Sequence, residues 1–216
     1  MTKPYVGTER GSAIVHIKEV GGSNEIVGNA TNFTLDTDKD VEELYVYGTE
    51  DPITITSRKK HKVTLERLFI DTAVADLFDE GKKFDCWRIL QHPEEEDGLI
   101  EYVVNAEFSK FGTEGAPKDV IKEKVEATAQ RIVRGKGKLK LEETHTFQSG
   151  TTEYELNESN PKRIIVVRGT YNGEANYTFN TDSKDYELTA DGKIKWLDGG
   201  KHPDDNTDFK VTYIYE

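Results

Sequence analysis

The sequence predicts a mainly β protein: a sandwich- or barrel-like β domain with one short α-helix, followed by a small all-β sandwich. Three observations carry this. β-Branched and aromatic residues recur in short alternating runs. Turn signals of the Gly-Gly, Asn-Gly and Asp-Gly type separate those runs along the second half. One stretch near residues 71–80 combines an N-cap, helical spacing and a glycine stop.

Residues 1–12 are polar and punctuated by Gly7 and Gly11, which reads as an arm or loop. Ala13-Ile14-Val15-His16-Ile17 reads as a strand, and Gly21-Gly22-Ser23-Asn24 as a turn. Glu25-Ile26-Val27 and Phe33-Thr34-Leu35 are the next strand pieces, and Asp36-Thr37-Asp38-Lys39-Asp40 is expected to break the chain after them. Leu44-Tyr45-Val46-Tyr47 then opens a strand that ends at Gly48-Thr49-Glu50-Asp51-Pro52. Ile53-Thr54-Ile55-Thr56 is β-branched throughout and leads into a basic run, Arg58-Lys59-Lys60-His61-Lys62, which reads as a solvated loop. Val63, Leu65 and Arg67 alternate with Thr64, Glu66 and Leu68 in the strand that follows, closed by Phe69 and Ile70. Asp71 is placed to cap a helix carrying Val74, Leu77 and Phe78 on one stripe, stopped at Asp79-Glu80-Gly81. Phe84, Cys86 and Arg88 alternate with Asp85, Trp87 and Ile89, a strand with large groups on both faces that wants cover on both sides.

His92-Pro93-Glu94-Glu95-Glu96-Asp97-Gly98 is a charged turn. Residues 99–108 alternate as a strand with Ile100, Tyr102, Val104, Ala106 and Phe108 on one face, and 110–118 read as a Gly/Pro loop. Residues 119–133 fit two templates. Ile121, Val125, Ala129 and Ile132 make a helical stripe, while Ile121, Val125, Ala127 and Ala129 make one face of a strand; periodicity leans to the helix. Arg134-Gly135-Lys136-Gly137-Lys138 is short, Gly-rich and basic, so domains of 1–135 and 136–216 are expected. Beyond it, short strands are expected at 142–147, 153–156, 164–167, 176–179, 186–188, 194–196 and 209–215. Turns are expected at Asn160-Pro161, Asn172-Gly173, Asp191-Gly192 and Gly199-Gly200, the spacing of a sandwich.

Composition narrows the class. Hydrophobic residues are 35%, with ten Tyr and nine Phe, which argues against disorder. Cys86 is the single cysteine, so no internal disulfide forms and it reads as a small core residue. The first residues carry no signal-peptide pattern and no apolar run approaches a membrane span, so a soluble protein made in a cytosol is expected, with no membrane partner. The net charge of −12 opposes grip on nucleic acid through phosphates.

Chemical motifs are weak. Asp36-x-Asp38-x-Asp40 begins like a calcium loop, but Val41 and Tyr47 stand where Gly and Glu are required. His16, His61, His92, His145 and His202 are scattered without ligand spacing. There is no Gly-x-Ser-x-Gly elbow and no phosphate loop, and the many carboxylates prove no dyad. No enzyme activity, cofactor or metal is therefore expected. Sequons at Asn29, Asn32, Asn157 and Asn176 are expected to be incidental.

The strand ending in Leu65-Glu66-Arg67-Leu68-Phe69, followed by a helix containing Ala75-Asp76-Leu77-Phe78, resembles the tail tube (major tail) proteins of tailed bacteriophages. The last part resembles a small β-sandwich module of phage structural proteins. Its matching residues are Asp185-Tyr186-Glu187-Leu188, Asp191-Gly192-Lys193-Ile194-Lys195-Trp196, Gly199-Gly200-Lys201-His202-Pro203 and the final strand from Phe209 to Tyr215. The first resemblance implies a strand over 119–133 and a homohexameric ring that stacks into a hollow tail tube, through which DNA passes without specific binding. Sheath, tape measure and tail-end proteins are the further partners it implies, with assembly in a host cytoplasm and a final place in the virion tail. It also implies that Arg58, Lys59, Lys60, His61 and Lys62 form a loop contacting the next ring, where carboxylates would meet them. Residues 136–216 hold 11 Lys/Arg against 15 Asp/Glu, a net of −4, which leaves −8 on the ring domain. The sandwich would then decorate the outside. The rival reading is a β-sandwich adhesin or carbohydrate-binding module with Tyr154, Tyr171, Tyr177, Tyr186 and Trp196 as a stacking platform, although Trp196 and about half of these Tyr read better as core residues.

Overall fold

The computed structural model describes residues 13–23, 25–44, 53–68, 72–90, 97–114, 122–180 and 185–216. The expected N-terminal arm, Tyr45-Val46-Tyr47, the Phe69-Ile70 strand end, the Asp71 cap, most of the charged turn at 92–98 and the Pro-containing end of the 110–118 loop lie outside these residues. The protein is mainly β. Twelve strands and one helix are described: β1 Ala13–Glu19, β2 Glu25–Leu44, β3 Ile53–Leu68, α1 Ala73–Asp79, β4 Phe84–Leu90, β5 Gly98–Glu114 and β6 Lys122–Thr146, then β7 Glu153–Glu155, β8 Pro161–Tyr171, β9 Glu174–Phe179, β10 Tyr186–Leu188, β11 Lys193–Trp196 and β12 Asp208–Tyr215. No helix among the described residues is long and apolar enough to cross a membrane.

The chain divides into two compact units. The first comprises Glu9–Cys86 and Val103–Ile132. Its hydrogen-bonded order is β3-β2-β1-β4-β5-β6, and β3 pairs β6 as well. Alternation builds its core: Val15 and Ile17 of β1, Phe33 of β2, Val63 and Leu65 of β3, and Val125 and Ala127 of β6 are all buried in one cluster. Residues from 122 onward in β6 are therefore a strand, not the helix toward which periodicity leaned. The side chains at 121, 125 and 129 fit either template, and the pairing of 61–68 on β3 with 122–129 decides. The helix lies where expected. Val74 and Leu77 are buried in the same cluster, and Phe78 meets Phe108 edge-on at 6.1 Å and Phe111 at 5.6 Å. Phe111 is thus part of a longer β5, which runs to Glu114 through the first part of the expected loop. Thr72 is the N-cap, its hydroxyl donating to the Asp76 carboxylate at 3.1 Å.

One expected face is broken. Val103 and Ala106 both lie in the first unit's core, a spacing of three that a flat strand cannot give. Asn105, at φ 50, supplies the extra residue. Its N–H donates to the Asp85 carboxylate at 3.0 Å and its side-chain amide to Gln130 at 2.7 Å. A bulge of this kind moves Val104 off the face on which Ala106 and Phe108 point.

The second unit comprises Trp87–Tyr102 and Val133–Glu216. Here β6, β12, β8 and β9 are neighbours in one sheet, and β10, β11 and β7 form another. The two close on an aromatic core: Trp196 meets Phe179 at 5.0 Å, Phe209 at 5.3 Å, Phe147 at 5.9 Å and Tyr186 at 5.9 Å, all edge-on. The expected short strands are present: 186–188 has its expected bounds, 153–155 is one residue shorter, those at 176, 194 and 209 begin one or two residues earlier, 164–167 is the middle of β8, and 142–146 is the end of the long β6. The Gly-rich run at 134–138, expected as a domain boundary, follows closely on the point between Ile132 and Val133 where the chain passes from one unit to the other. It is strand, inside the 25 residues of β6. A Cβ on Gly137 would lie 2.3 Å from the Tyr215 carbonyl oxygen, so that glycine permits close approach of β6 to β12 rather than freedom of the chain. In the same unit the buried Glu101 carboxylate takes Arg88 at 2.6 Å and Arg134 at 2.8 Å.

Candidate functional site: the β2–β3 hairpin

β2 and β3 form a long antiparallel hairpin in the first unit. Its register runs from Ala30 opposite Arg67 to Leu44 opposite Ile53, with shifts beside Asn32 and Val41. The inner part is core. Ala30, Phe33, Val63 and Leu65 are buried there, and β1 pairs β2 only over 25–30. The register of β6 on β3 stops at His61. Outward of that point, 38–44 and 53–60 are described as paired with each other alone. At the ordinary rise of a strand this outer part spans about 20 Å.

The sequence reading missed this shape twice. Asp36-Thr37-Asp38-Lys39-Asp40 is not a break, because β2 runs through it. Arg58-Lys59-Lys60-His61-Lys62 is not a loop, because β3 runs through it. Two polar runs that each look like loops become strands when they face one another. Asp36 stands opposite Lys62, and Asp38 opposite Lys60. Cross-strand opposite charges of this kind stabilise a ladder. The Lys62 ammonium lies 3.7 Å from the Asp38 carboxylate, both more than half exposed, so the pair adds well under ~1 kcal/mol. The signal was available: both charge pairs are centred on Thr49, as the arms of a hairpin must share one centre.

The register also divides the basic run. Asp36, Asp38, Lys60 and Lys62 share one face, on which opposite charges alternate. Thr37, Lys59 and His61 share the other, where Thr37 Oγ1 meets His61 Nδ1 at 2.9 Å; the placement of the Lys39 side chain lies outside the described residues. Lys59 is exposed. The placement of the Arg58 side chain lies outside the described residues. The second face is therefore basic, whereas the first balances its own charge.

The aromatic platform of the rival reading is not assembled. Tyr186 and Trp196 are each 2% exposed and belong to the core. Tyr154 packs at its edge, its hydroxyl accepting the Gln148 N–H at 2.9 Å. Tyr171 and Tyr177 are half-buried, with the Lys201 ammonium 5.3 Å and 5.0 Å from their ring centres. The Tyr177 hydroxyl bonds that ammonium at 2.6 Å and raises its pKa above the ordinary lysine value. Cys86 is buried in the first unit's core, where burial and then the Asp85 charge push its thiol pKa up. Its sequence reading as a core residue stands.

No family model matches the sequence, and no curated protein does. Solved structures do. A chain of the six-fold symmetrised baseplate of the anti-feeding prophage is 13% identical, with 62% of this chain and 97% of that chain covered at a TM-score of 0.50. A chain of the extended sheath–tube complex of an extracellular contractile injection system is 16% identical, with 62% and 91% covered at 0.45. A chain from the tail of an empty gene transfer agent particle is 7% identical, with 57% and 93% covered at 0.42. The first likeness shows a shared fold over about three-fifths of this chain; the other two are too loose to show as much.

Proposed function

We propose that the protein is a structural subunit of a phage-type tail, forming a hexameric ring that stacks into a hollow tube for DNA passage. The observation that carries this reading is the shared fold with a chain of a six-fold symmetrised baseplate, of which 97% is covered. The long β2–β3 hairpin and the one short helix among the described residues, on a β core, agree with the resemblance seen in the sequence. Residues 1–135 are the ring domain in this proposal, and 136–216 an outward decoration domain. A net charge of −12 repels phosphates, so DNA slides rather than sticks. No catalytic step is part of the reading. Sheath, tape measure and tail-end proteins are the expected neighbours, and the virion tail the expected location.

The hairpin is the proposed contact to the next ring. Its partner surface is acidic, and the face bearing Lys59 and His61 makes the contact, because Lys60 and Lys62 stand on the face they share with Asp36 and Asp38, where Lys62 pairs with Asp38. A second arrangement, a single ring at the end of a tube, is favoured by the baseplate origin of that neighbour. Negative-stain electron microscopy of concentrated protein tests both. Hollow tubes support the stacked reading and isolated six-fold rings the terminal one. A monomer at all concentrations, with or without added tube ends, overturns both.

A further inference from the structure

The chain contains one Asn-Gly pair, Asn172-Gly173, at the tip of the β8–β9 hairpin. Both residues are exposed. Such pairs are chemically fragile. The Gly nitrogen attacks the side-chain carbonyl carbon of Asn, ammonia leaves, and a succinimide ring forms. Water then opens the ring to aspartate or isoaspartate. Glycine makes the attack easy because it offers no side chain to hinder it. The attacking nitrogen must be free to lose its proton and to swing toward the Asn side chain.

Neither condition holds here. The Gly173 N–H donates to Asp204 Oδ2 at 2.9 Å, and the Asn172 N–H donates to Asp204 Oδ1 at 2.9 Å. One carboxylate thus grips both amides of the turn. Asp204 is itself fixed. Its own N–H donates to the Thr170 carbonyl at 2.8 Å, and its carbonyl accepts the Thr207 hydroxyl at 2.6 Å and the Thr207 N–H at 3.1 Å. A negative charge against the Gly173 N–H disfavours the amide anion that attack requires. The same grip holds Asn172 at φ 50 and Gly173 at φ 78, the paired positive angles of a tight hairpin turn.

We propose that Asp204 protects Asn172 from deamidation, and that Asn172 becomes a modification site when this clamp is lost. The proposal is independent of ring assembly. Asp204 acts as a positioning residue whose effect is on a reaction rate as well as on turn stability.

Full-length chain held at neutral pH tests it, with peptide mapping for isoaspartate and aspartate at position 172. Native wild-type protein, the same chain unfolded in urea, Asp204→Ala and Asp204→Asn are compared. Native wild-type should react at least about tenfold more slowly than unfolded chain, the factor expected of one hydrogen bond to a charged acceptor. Asp204→Ala should approach the unfolded rate, and Asp204→Asn, which keeps one neutral acceptor, should fall between. Near-UV circular dichroism establishes that each variant is folded. Should Asp204→Ala not fold, the nearly isosteric Asp204→Asn decides alone. A folded variant that reacts no faster than native wild-type overturns the proposal, as does native wild-type reacting as fast as unfolded chain.

Discussion

Gly137→Ala separates two accounts of the Gly-rich run by the sign of its effect. In a linker, replacing Gly with Ala restricts the unfolded chain and stabilises by about 0.4–1 kcal/mol. In β6 the same change meets a wall. Gly137 sits at φ 139, where L side chains rarely go, and its Cβ would stand 2.3 Å from the Tyr215 carbonyl oxygen and 2.9 Å from Ile214 Cγ2. The backbone conformation alone costs about 1–3 kcal/mol. Relieving the clash means opening the ladder where Lys138 pairs Tyr215, losing one or two hydrogen bonds of about 1 kcal/mol each. A loss of about 2–4 kcal/mol results, limited by how far the end of β12 can move. Gly135→Ala is the control, because its Cβ would meet only the far end of a flexible side chain, Ile214 Cδ1 at 2.7 Å, which can rotate away. It should cost about 1 kcal/mol or less. Urea unfolding followed by tryptophan fluorescence is the assay, since Trp87 and Trp196 both lie in the unit that holds Gly137. Gly137→Ala as stable as wild-type would refute the strand account.

Three further changes test other parts of the molecule. Glu101→Leu removes the carboxylate that Arg88 and Arg134 both bond, and should destabilise the second unit by about 3 kcal/mol, with Glu101→Gln costing about half as much; a loss under about 1 kcal/mol in urea titration would show the cluster to be incidental. Lys59→Glu should raise the concentration needed for tube or ring-stack formation about tenfold while leaving the melting temperature of the subunit unchanged, and unaltered assembly in electron micrographs would remove the hairpin's basic face from the interface. The Glu80 and Glu19 carboxylates, 2.6 Å and 2.9 Å away, raise the Lys82 pKa from 10.5 to about 12. A raised pKa means that the contact is fully present below 10.5 and lost as pH climbs through about 12, so acidification leaves the lysine charged. A side-chain NMR titration of Lys82 with its midpoint at 10.5 would refute the pairing.

The mainly β class was legible because β-branched runs, turn dipeptides and one capped stripe all speak through local chemistry. The helix at Ala73–Asp79 and the short strands of the second half were placed within a few residues for that reason. What escaped was anything decided by a partner distant in the sequence. Asp36 to Asp40 looks like a break until Lys60 and Lys62 stand opposite. Gly135 and Gly137 look like slack until Ile214 and Tyr215 lie against them. The Asn105 bulge leaves no trace in Val-Val-Asn-Ala-Glu-Phe, since Asp85, which holds it, is 20 residues earlier. The candidate site was half legible: the basic run was located, but its division into a balanced face and a basic face needed the register.

The acidic composition has a second explanation besides repulsion of DNA, and the second unit shows it. Glu143, 4% exposed, accepts the Asn157 N–H at 2.8 Å, the Tyr213 hydroxyl at 2.5 Å and His145 Nε2 at 2.9 Å. Asp185, 2% exposed, accepts the N–H groups of Asn180 at 2.9 Å and Lys201 at 3.0 Å. Asp204 grips the Asn172-Gly173 turn, and Asp205 accepts the Ser149 N–H at 2.7 Å. Each ties a connecting segment that has no strand partner of its own, and backbone N–H groups left unpaired there would be costly. Short strands joined by many loops need such acceptors, and carboxylates make stronger ones than neutral side chains. The net charge of this half is thus accounted for in part by its own loops. Any lumen-facing field in the proposed tube must then rest on the first 135 residues, which carry −8 of the −12. Neutralising exposed acids of the first half should slow DNA passage in such a tube, whereas neutralising Glu143, Asp185 or Asp204 should loosen the fold instead.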